Sequence, residues 1–225
     1  MGTAPPNPWT SLATVPPYIA EADRAILSTE YQAKYALRCD VLPHAWLGNP
    51  RGSRVILLQL NPGFSEADVD DERSIPAYRL ISRATLTLDG QAGFWPLDPQ
   101  LAATSGAQWW RPRLRPLIEA LGASGEALVA AGLSVVEYFP YHSPSYQWPP
   151  RLPSQEFGFH LVREAAAAGA VVVVMRQWES WRAAVPELIG HPGLFRNPNP
   201  RQAAVSPTNL GEETFGALVT ALRQR

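Results

Sequence analysis

Buried strands are predicted where unbroken apolar runs end abruptly in polar, proline-rich segments. The run Val55–Leu60 stops at Asn61-Pro62-Gly63, which is typical of a strand that enters a tight loop. Similar runs occupy residues 133–139 and 170–175, and a shorter one covers residues 193–196. The four consecutive valines of the third run suit a central parallel strand that is buried on both faces. The pattern therefore predicts four strands.

Helices are predicted between these strands. They are expected over about residues 19–38, 112–121, 125–131, 154–168, 179–189 and 212–223, and a short acidic helix follows Ser65. Pro112 suits a first helical position, and Asn209 with Glu212 forms a candidate capping box. Residues 84–110 are expected to form a long aromatic loop. The alternation predicts an α/β fold, a three-layer α/β/α domain with a central four-stranded, mainly parallel sheet.

One domain is expected, because a chain of 225 residues has enough length for one large core. Residues 1–17 are rich in proline, serine and threonine and are predicted to form an extended N-terminal arm, which leaves residues 18–225 as the single domain. The arm lacks the apolar core of a signal peptide. No apolar run approaches the ~20 residues of a membrane span. We therefore expect a cytoplasmic, monomeric protein that does not contact membranes.

Charge and cysteine content narrow the possible functions. The net charge is −1 and Lys34 is the only lysine, so no strong field attracts the whole protein to nucleic acid or acidic membranes. Cys39 is the only cysteine, which excludes an intrachain disulfide and a cysteine-based zinc site. The four histidines lack metal-ligand spacing, and the sequence has no Walker, Rossmann or nucleophile-elbow motif. We therefore expect no metal and no cofactor.

Polar side chains follow each predicted strand, at the edge where open α/β sheets form their ligand sites. Asn61 follows the first strand and Arg176 follows the third. The second strand is followed by Tyr141, His142 and Ser143, and the fourth by a loop that contains Asn197, Asn199, Pro200, Arg201 and Gln202. Because the carboxyl ends of parallel strands meet at one edge, these groups predict a convergent binding or catalytic pocket.

Three segments resemble parts of a known enzyme family. LQLNPGFS, residues 58–65, resembles the first motif of the uracil-DNA glycosylase superfamily, nearest its mismatch-specific uracil/thymine branch. FRNPNPRQAAVSPTNLG, residues 195–211, is similar to the second motif of that branch, and QWWRPRLRPLIEAL, residues 108–121, resembles an intervening helix. The resemblance spans about residue 42 to the end. It implies a uracil-DNA glycosylase-like fold and hydrolysis of the N-glycosidic bond of a damaged or modified base of the uracil or mismatch type.

The resemblance implies roles for residues around the first motif. Asn61 would orient a water molecule through its carboxamide oxygen, and backbone N–H groups of the turn that contains Pro62 and Gly63 would contact the base. Gln59 stands where the branch has glycine and would narrow the base pocket. The candidates for stacking on a flipped-out base are Phe64, Phe94 and Trp95. Further substrate contacts are expected from Tyr141, Ser143 and Arg176.

DNA contacts are implied for the second motif. Arg201 is a candidate phosphate contact or wedge, and the other candidates are Asn197, Asn199, Pro200, Gln202, Ser206 and Arg111. His142 is the second catalytic candidate, as an acid that stabilises the departing base or as a phosphate ligand. A histidine hydrogen-bonded within its loop is the alternative for His142. The implied partner is DNA that contains a damaged or modified base, and monofunctional hydrolysis needs no cofactor.

Two other functions stay open at this point. The chain could be a non-catalytic nucleic-acid or nucleotide-binding protein with the same fold, or a hydrolase of free nucleosides. The near-zero net charge favours both alternatives, because a protein that binds duplex DNA usually has a basic face. A positive groove across residues 111–115 and 196–201 would favour DNA, whereas a closed neutral pocket would favour a small ligand.

Overall fold

A computed structural model describes residues 4–89 and 93–224. Within these ranges the strands are β1 (Trp46–Leu47), β2 (Val55–Gln59), β3 (Leu133–Glu137), β4 (Val171–Val174) and β5 (Leu194–Arg196). The α-helices are α1 (Thr29–Lys34), α2 (Glu66–Ser74), α3 (Pro76–Thr87), α4 (Ser105–Leu121), α5 (Gly125–Gly132), α6 (Gln155–Ala167), α7 (Trp178–Ala184), α8 (Pro207–Leu210) and α9 (Glu212–Arg223). The protein is therefore an α/β fold.

The strands form one mixed sheet in the order β1-β3-β2-β4-β5. The strands β2 to β5 pair in parallel, and β1 pairs antiparallel with β3 at the edge. The four predicted strands and their mainly parallel arrangement are confirmed, but the expectation of only four strands is wrong. The additional strand, β1, is two residues long, too short to give a pattern in the sequence. It is held by its pairing with Val135 and Val136 of β3.

Gly48 lets the chain pass closely over β3 as it turns from β1 towards β2. Its φ is +78°, and a Cβ atom at this position would lie 2.7 Å from the carbonyl oxygen of Leu133. Both the backbone conformation and the close approach therefore require glycine. This turn sets the lead-in to β2, whose carboxyl end carries Asn61.

Apolar side chains cover both faces of the sheet. Ile56 and Leu58 of β2 belong to a core cluster with α6 and α7. Val55 and Leu57 alternate with them and belong to a second cluster with α4, α5 and α9. All five residues of β2 are buried, as expected for a central parallel strand with helices on both sides. This arrangement is consistent with the predicted three layers.

The described part of the predicted N-terminal arm, residues 4–17, packs against this core. It contains no helix or strand, but Trp9 and Leu12 are buried within the first cluster. Arg83 of α3 donates hydrogen bonds to the carbonyl oxygens of Leu12 and Ala13. The segment is therefore attached along its length, although its composition alone predicts an extended arm.

The long loop expected over residues 84–110 is wrong at both of its ends. Helix α3 continues to Thr87, and α4 begins at Ser105 rather than at Pro112. Thr104 caps α4 because its side chain accepts a hydrogen bond from the backbone N–H of Ala107. Pro112 and Pro116 lie inside the helix, so the cap and the packing of α4 outweigh the helix-breaking tendency of proline.

Three other helix predictions need correction. The helix expected over residues 19–38 is replaced by a short 3-10 turn, Glu21–Asp23, and by α1. The helix expected over residues 179–189 is α7 followed by a separate 3-10 turn, Pro186–Leu188. The predicted capping box is also wrong, because Asn209 lies in α8 and its side chain donates to the carbonyl oxygens of Gln202 and Ala204. The bounds of α9 agree with the prediction.

Candidate functional site

A cavity lies at the carboxyl ends of the parallel strands. Its volume is about 480 Å³, which is in the range of small-molecule sites. We call it the strand-end cavity. Its polar lining comprises Gln59, Asn61, Ser65, Asp68, Ser105, Glu137, His142, Ser143 and Arg176, and its aromatic lining comprises His44, Phe64, Trp109, Trp110 and Tyr146. The structure thus brings together polar groups that follow β2, β3 and β4.

The side chain of Asn61 is fixed by two hydrogen bonds. Its Nδ2 donates to the carbonyl oxygen of Pro62 at 2.8 Å and to Oγ of Ser143 at 3.0 Å. A backbone carbonyl only accepts hydrogen bonds, so the amide nitrogen must face Pro62. The carboxamide oxygen of Asn61 accepts no hydrogen bond from the residues that the structure describes. It is therefore the group of Asn61 that is left to contact a ligand or water.

The turn after Asn61 contributes two backbone donors. The N–H groups of Gly63 and Phe64 make no hydrogen bond within the described residues, and both residues line the cavity. A Cβ atom built on Gly63 would meet no heavy atom within 4 Å. The fold itself therefore does not require glycine at this position. A ligand that approached the backbone closely here would require it.

Phe64 forms one aromatic wall of the cavity. The guanidinium carbon of Arg38 lies 3.7 Å from the centroid of its ring. Arg38 is held in turn by Asp40 at 2.8 and 2.7 Å and by Glu66 at 3.0 Å. Phe64 is thus backed by a cation whose own charge is already paired with carboxylates.

His142 presents a neutral ring to the cavity. Its Nδ1 donates to the carbonyl oxygen of Gly63 at 2.6 Å, because that carbonyl can only accept. Burial lowers the pKa of His142 below 6.5, although Asp68 acts in the opposite direction. In the neutral tautomer Nε2 carries a lone pair, and this buried atom has no hydrogen-bond partner among the described residues. A neutral ring with this lone pair can accept a proton, and the catalytic role of His142 stays a prediction.

A second histidine, His44, packs edge-on against His142 with 4.6 Å between the ring centroids. Burial lowers the pKa of His44 well below 6.5, with His142 acting in the same direction. Nε2 of His44 lies 3.2 Å from the hydroxyl oxygen of Tyr78. Both imidazoles are therefore neutral at pH 7, and the His44 ring holds the His142 ring in place.

Gln59 and Glu137 lie side by side in the sheet, because they are partners in the register between β2 and β3. Both side chains are buried, and within residues 4–89 and 93–224 Nε2 of Gln59 and Oε2 of Glu137 have no hydrogen-bond partner. Burial raises the pKa of Glu137 to about 8, although Arg176 acts in the opposite direction. Glu137 is therefore a neutral carboxylic acid at pH 7, at the edge of the sheet where ligands bind.

The cavity also contains cationic and exposed aromatic groups. Nε of Arg176 is buried and has no hydrogen-bond partner in the part of the chain that the structure describes. Arg113 lies nearby and stacks on Trp109 at 3.8 Å, and burial together with Arg176 lowers its pKa. Trp109 lines the cavity and is 39% exposed. A planar ligand would find an aromatic surface and a positive charge on this side.

Tyr141, expected to contact substrate, has a structural role instead. Its hydroxyl group donates to Oδ2 of Asp23 at 2.7 Å and accepts from the backbone N–H of Ala20 at 3.0 Å. The side chain is completely buried, and Trp9 packs against its ring. Tyr141 therefore fastens the N-terminal segment to the core and does not line the cavity.

Two of the three stacking candidates are also core residues. Phe94 packs against Trp110 with 5.4 Å between the ring centroids, and Trp95 packs against Tyr78 at 5.3 Å. Both are buried, at 1% and 3% exposure, and neither lines the strand-end cavity. Phe64 is the stacking candidate that the structure does place there.

The loop expected to contact DNA is not part of the cavity lining. Asn197 is buried and stabilises its own loop, with hydrogen bonds to the backbone of Asn199 and Gln202. Ser206 caps α8 by accepting from the backbone N–H of Asn209. Asn199, Pro200, Arg201 and Gln202 are exposed. The structure thus gives Asn197 and Ser206 structural roles and leaves the other four at the surface.

Arg111 and Arg115, which lie in α4, pair with other groups of the protein. Arg111 binds Glu126 at 3.1 Å and the carbonyl oxygen of Leu97 at 2.9 Å, and its role in DNA binding stays a prediction. Arg115 lies 3.7 Å from Glu119. The edge formed by residues 111–115 is therefore less basic than the sequence suggests.

Several cavity residues were missed by sequence reasoning. Glu137 gave a signal, a charged residue at the end of the otherwise apolar run that contains β3. His44 lies in an irregular lead-in, and Tyr146 lies in a proline-rich loop. Those two gave no pattern of their own, because only the packing of separate segments brings them to the strand ends.

No protein-family model, curated protein or solved structure matches this chain. The resemblance to the uracil-DNA glycosylase superfamily therefore stays a prediction. Residues 4–89 and 93–224 contain no cluster of three potential His, Cys, Asp or Glu metal ligands. In the same ranges no helix is both long and apolar enough to cross a bilayer.

Proposed function

We propose that this protein hydrolyses the N-glycosidic bond of a nucleobase held in the strand-end cavity, with a fold of the uracil-DNA glycosylase type. The observation that carries the proposal is the anchored side chain of Asn61. Its amide nitrogen is occupied by Pro62 and Ser143, so a carboxamide oxygen remains for water. Two unengaged backbone donors, at Gly63 and Phe64, lie in the same turn.

The chemistry assigns a separate task to each of these groups. Cleavage of a glycosidic bond passes through a transition state that resembles an oxocarbenium ion, so the attacking water must be held near the anomeric carbon. The oxygen of Asn61 accepts a hydrogen bond from that water and orients it. The lone pair on Nε2 of His142 accepts its proton. The N–H groups of Gly63 and Phe64 donate to a carbonyl oxygen of the base.

The dimensions and walls of the cavity support a planar ligand. A volume of about 480 Å³ accommodates a nucleobase and part of its sugar. Phe64, Trp109 and Tyr146 supply aromatic surfaces, and stacking on such surfaces is how enzymes hold a base outside the duplex. Ser143 supports the arrangement from the loop after β3, because it positions Asn61.

The leading substrate is a damaged or modified base in DNA, of the uracil or mismatch type. The exposed loop that contains Asn199 and Arg201 is the surface proposed to contact phosphates. A second candidate, a hydrolase of free nucleosides, is favoured by one specific observation. Arg111 and Arg115 are engaged by Glu126 and Glu119, so the predicted basic edge is partly neutralised.

The decisive experiment compares DNA and nucleoside substrates. The protein is incubated with oligonucleotides that carry uracil, a G·T mismatch, hypoxanthine or hydroxymethyluracil, followed by alkaline cleavage, and in parallel with free nucleosides. Asn61→Ala is expected to reduce cleavage by about 100-fold or more, as loss of water positioning does. Asn49→Ala is the matched control, since it removes an asparagine that lies outside both the cavity and the exposed loop. Asn199→Ala tests the loop.

The outcomes separate the candidate functions. Activity that is unchanged in Asn61→Ala would refute the assigned role of this residue. A loss in Asn199→Ala on DNA alone would support contacts between the loop and the phosphates. Binding without cleavage of any substrate would refute the hydrolase function and leave a non-catalytic nucleotide-binding or nucleic-acid-binding protein.

A further inference from the structure

Glu137 is a buried acid for which the fold provides no partner. It is 9% exposed at the end of β3, and its Oε2 makes no hydrogen bond with the described residues. Buried polar atoms in folded proteins are nearly always hydrogen-bonded, because an unpaired one is costly. Its position on the strand-end cavity indicates that the missing partner is a ligand.

The surroundings of Glu137 keep its proton in place at neutral pH. Burial raises its pKa to about 8, and Arg176 limits this rise. Its neighbour across the strands, Gln59, is uncharged, and among the described residues its Nε2 donates no hydrogen bond to the carboxyl group. The group is therefore protonated at pH 7 and would release its proton readily to a base of similar strength.

The other titratable groups of the cavity are unsuited to supply a proton at pH 7. His44 and His142 are neutral because burial lowers the pKa of both. Burial raises the pKa of Tyr146, which makes it a weak acid. Asp68 accepts hydrogen bonds from the backbone N–H of Ser65 and from the hydroxyl group of Ser105.

We propose that Glu137 is the catalytic acid that protonates the departing base. The inference rests on the hydrolase function proposed above and adds to it the route of the second proton. Two groups with opposite shifts, a protonated carboxyl and a neutral imidazole on one cavity, form the pattern of an acid–base pair.

The proposed step moves one proton from Glu137 to the base and one from water to His142. The bond between C1′ and the base nitrogen breaks, and its electron pair goes to the base. The Glu137 hydroxyl proton moves to a nitrogen or oxygen of the base, which leaves as a neutral molecule. The water oxygen bonds to C1′, and its proton moves to Nε2 of His142. Exchange with solvent then returns a proton to Glu137 and removes one from His142.

This role selects a class of substrate. A base that is a stable anion can depart without an acid, whereas one that is a poor anionic leaving group needs a proton in the transition state. Among damaged or modified bases, those that depart as neutral molecules, as purine-type and cytosine-type bases do, therefore depend most on Glu137. Uracil, which departs more readily as an anion, would gain less from Glu137.

The test uses Glu137→Gln, which keeps the shape of the side chain but cannot transfer a proton. Cleavage of adenine and cytosine nucleosides or deoxynucleotides is compared with cleavage of p-nitrophenyl 2-deoxyriboside, whose nitrophenolate leaves without protonation. The expected loss is about 100-fold on the natural bases and less than about threefold on the nitrophenyl substrate. The wild-type rate on natural bases should fall above about pH 8, and the variant should lose this decline.

A thermal melt of each protein establishes that the variant is folded, and Glu137→Asp provides a second variant that retains an acid. An equal loss on both substrates, or an alkaline decline that persists in Glu137→Gln, would overturn the proposal. If the wild type cleaves natural bases and Glu137→Gln cleaves them equally well, only the role of Glu137 fails. If the wild type cleaves neither these substrates nor the damaged-base oligonucleotides, the proposed function and this inference fail together. Cleavage of the uracil oligonucleotide alone would overturn only the role of Glu137.

Discussion

Replacement of Glu137 by glutamine is expected to change how the free energy of unfolding depends on pH. Burial raises the pKa of this carboxyl group from 4.5 to about 8 in the folded protein. In the unfolded chain the group has its ordinary pKa and ionises at lower pH. The unfolded state is therefore increasingly favoured as the pH rises above 4.5, until the folded protein also ionises near pH 8.

The size of the effect follows from these two pKa values. Each tenfold difference in proton affinity corresponds to about 1.4 kcal/mol. A pKa of about 8 instead of 4.5 therefore lowers the stability of the wild type by about 5 kcal/mol, and the loss is complete above pH 8. Because a domain is stabilised by only about 5–15 kcal/mol, the loss would be large enough to measure.

The assay is urea unfolding between about pH 5 and pH 9, followed by the fluorescence of the eight tryptophans. Relative to Glu137→Gln, the wild type should lose stability steadily up to about pH 8 and then run parallel to it. Glu213→Gln, which changes an exposed carboxyl group, should follow the wild type. If the wild type and Glu137→Gln show the same pH dependence throughout, Glu137 is not a buried neutral acid.

Four further substitutions test the site and the fold around it. Gly63→Ala should change the free energy of unfolding by less than about 0.5 kcal/mol yet weaken nucleoside binding in titration calorimetry, and a destabilised Gly63→Ala would contradict this. Gly48→Ala should instead lower the free energy of unfolding by about 1–3 kcal/mol, because of its positive φ and the close carbonyl oxygen. Tyr141→Phe removes the hydrogen bond to Asp23 and should lower the free energy of chemical unfolding by about 1–3 kcal/mol. Nucleoside cleavage should be unchanged, and a loss of activity without a loss of stability would show that Tyr141 acts in the site. Ser143→Ala removes an anchor of Asn61 and should lower the cleavage rate about tenfold; an unchanged rate would show that the anchor is dispensable.

The helices show where local signals failed. Proline is favoured at the first position of a helix, so Pro112 predicted a late start for α4. The helix begins seven residues earlier, at Ser105, because Thr104 caps it and Trp110 and Leu114 bury its inner face. A cap about two turns before a proline carries little weight in the sequence, and its effect depends on packing that only the folded chain has.

The amino-acid sequence by itself determined the four parallel strands, the last helix and the placement of Asn61 at the end of a central strand. Unbroken apolar runs and the turn that follows Leu60 are local properties of the chain. The runs form strands in the fold because a central strand that is buried on both faces of the sheet needs apolar residues throughout.

Only the tertiary structure decided which polar groups share the strand-end cavity. The register of β2 with β3 sets Glu137 beside Gln59, and the loop after β3 brings His142 and Ser143 to the turn after Asn61. Tyr141, one residue before His142, is instead directed to Asp23. Tyr141 and His142 therefore have different roles although they are adjacent in the sequence. Packing between distant segments determines the burial and the hydrogen-bond partners of each side chain.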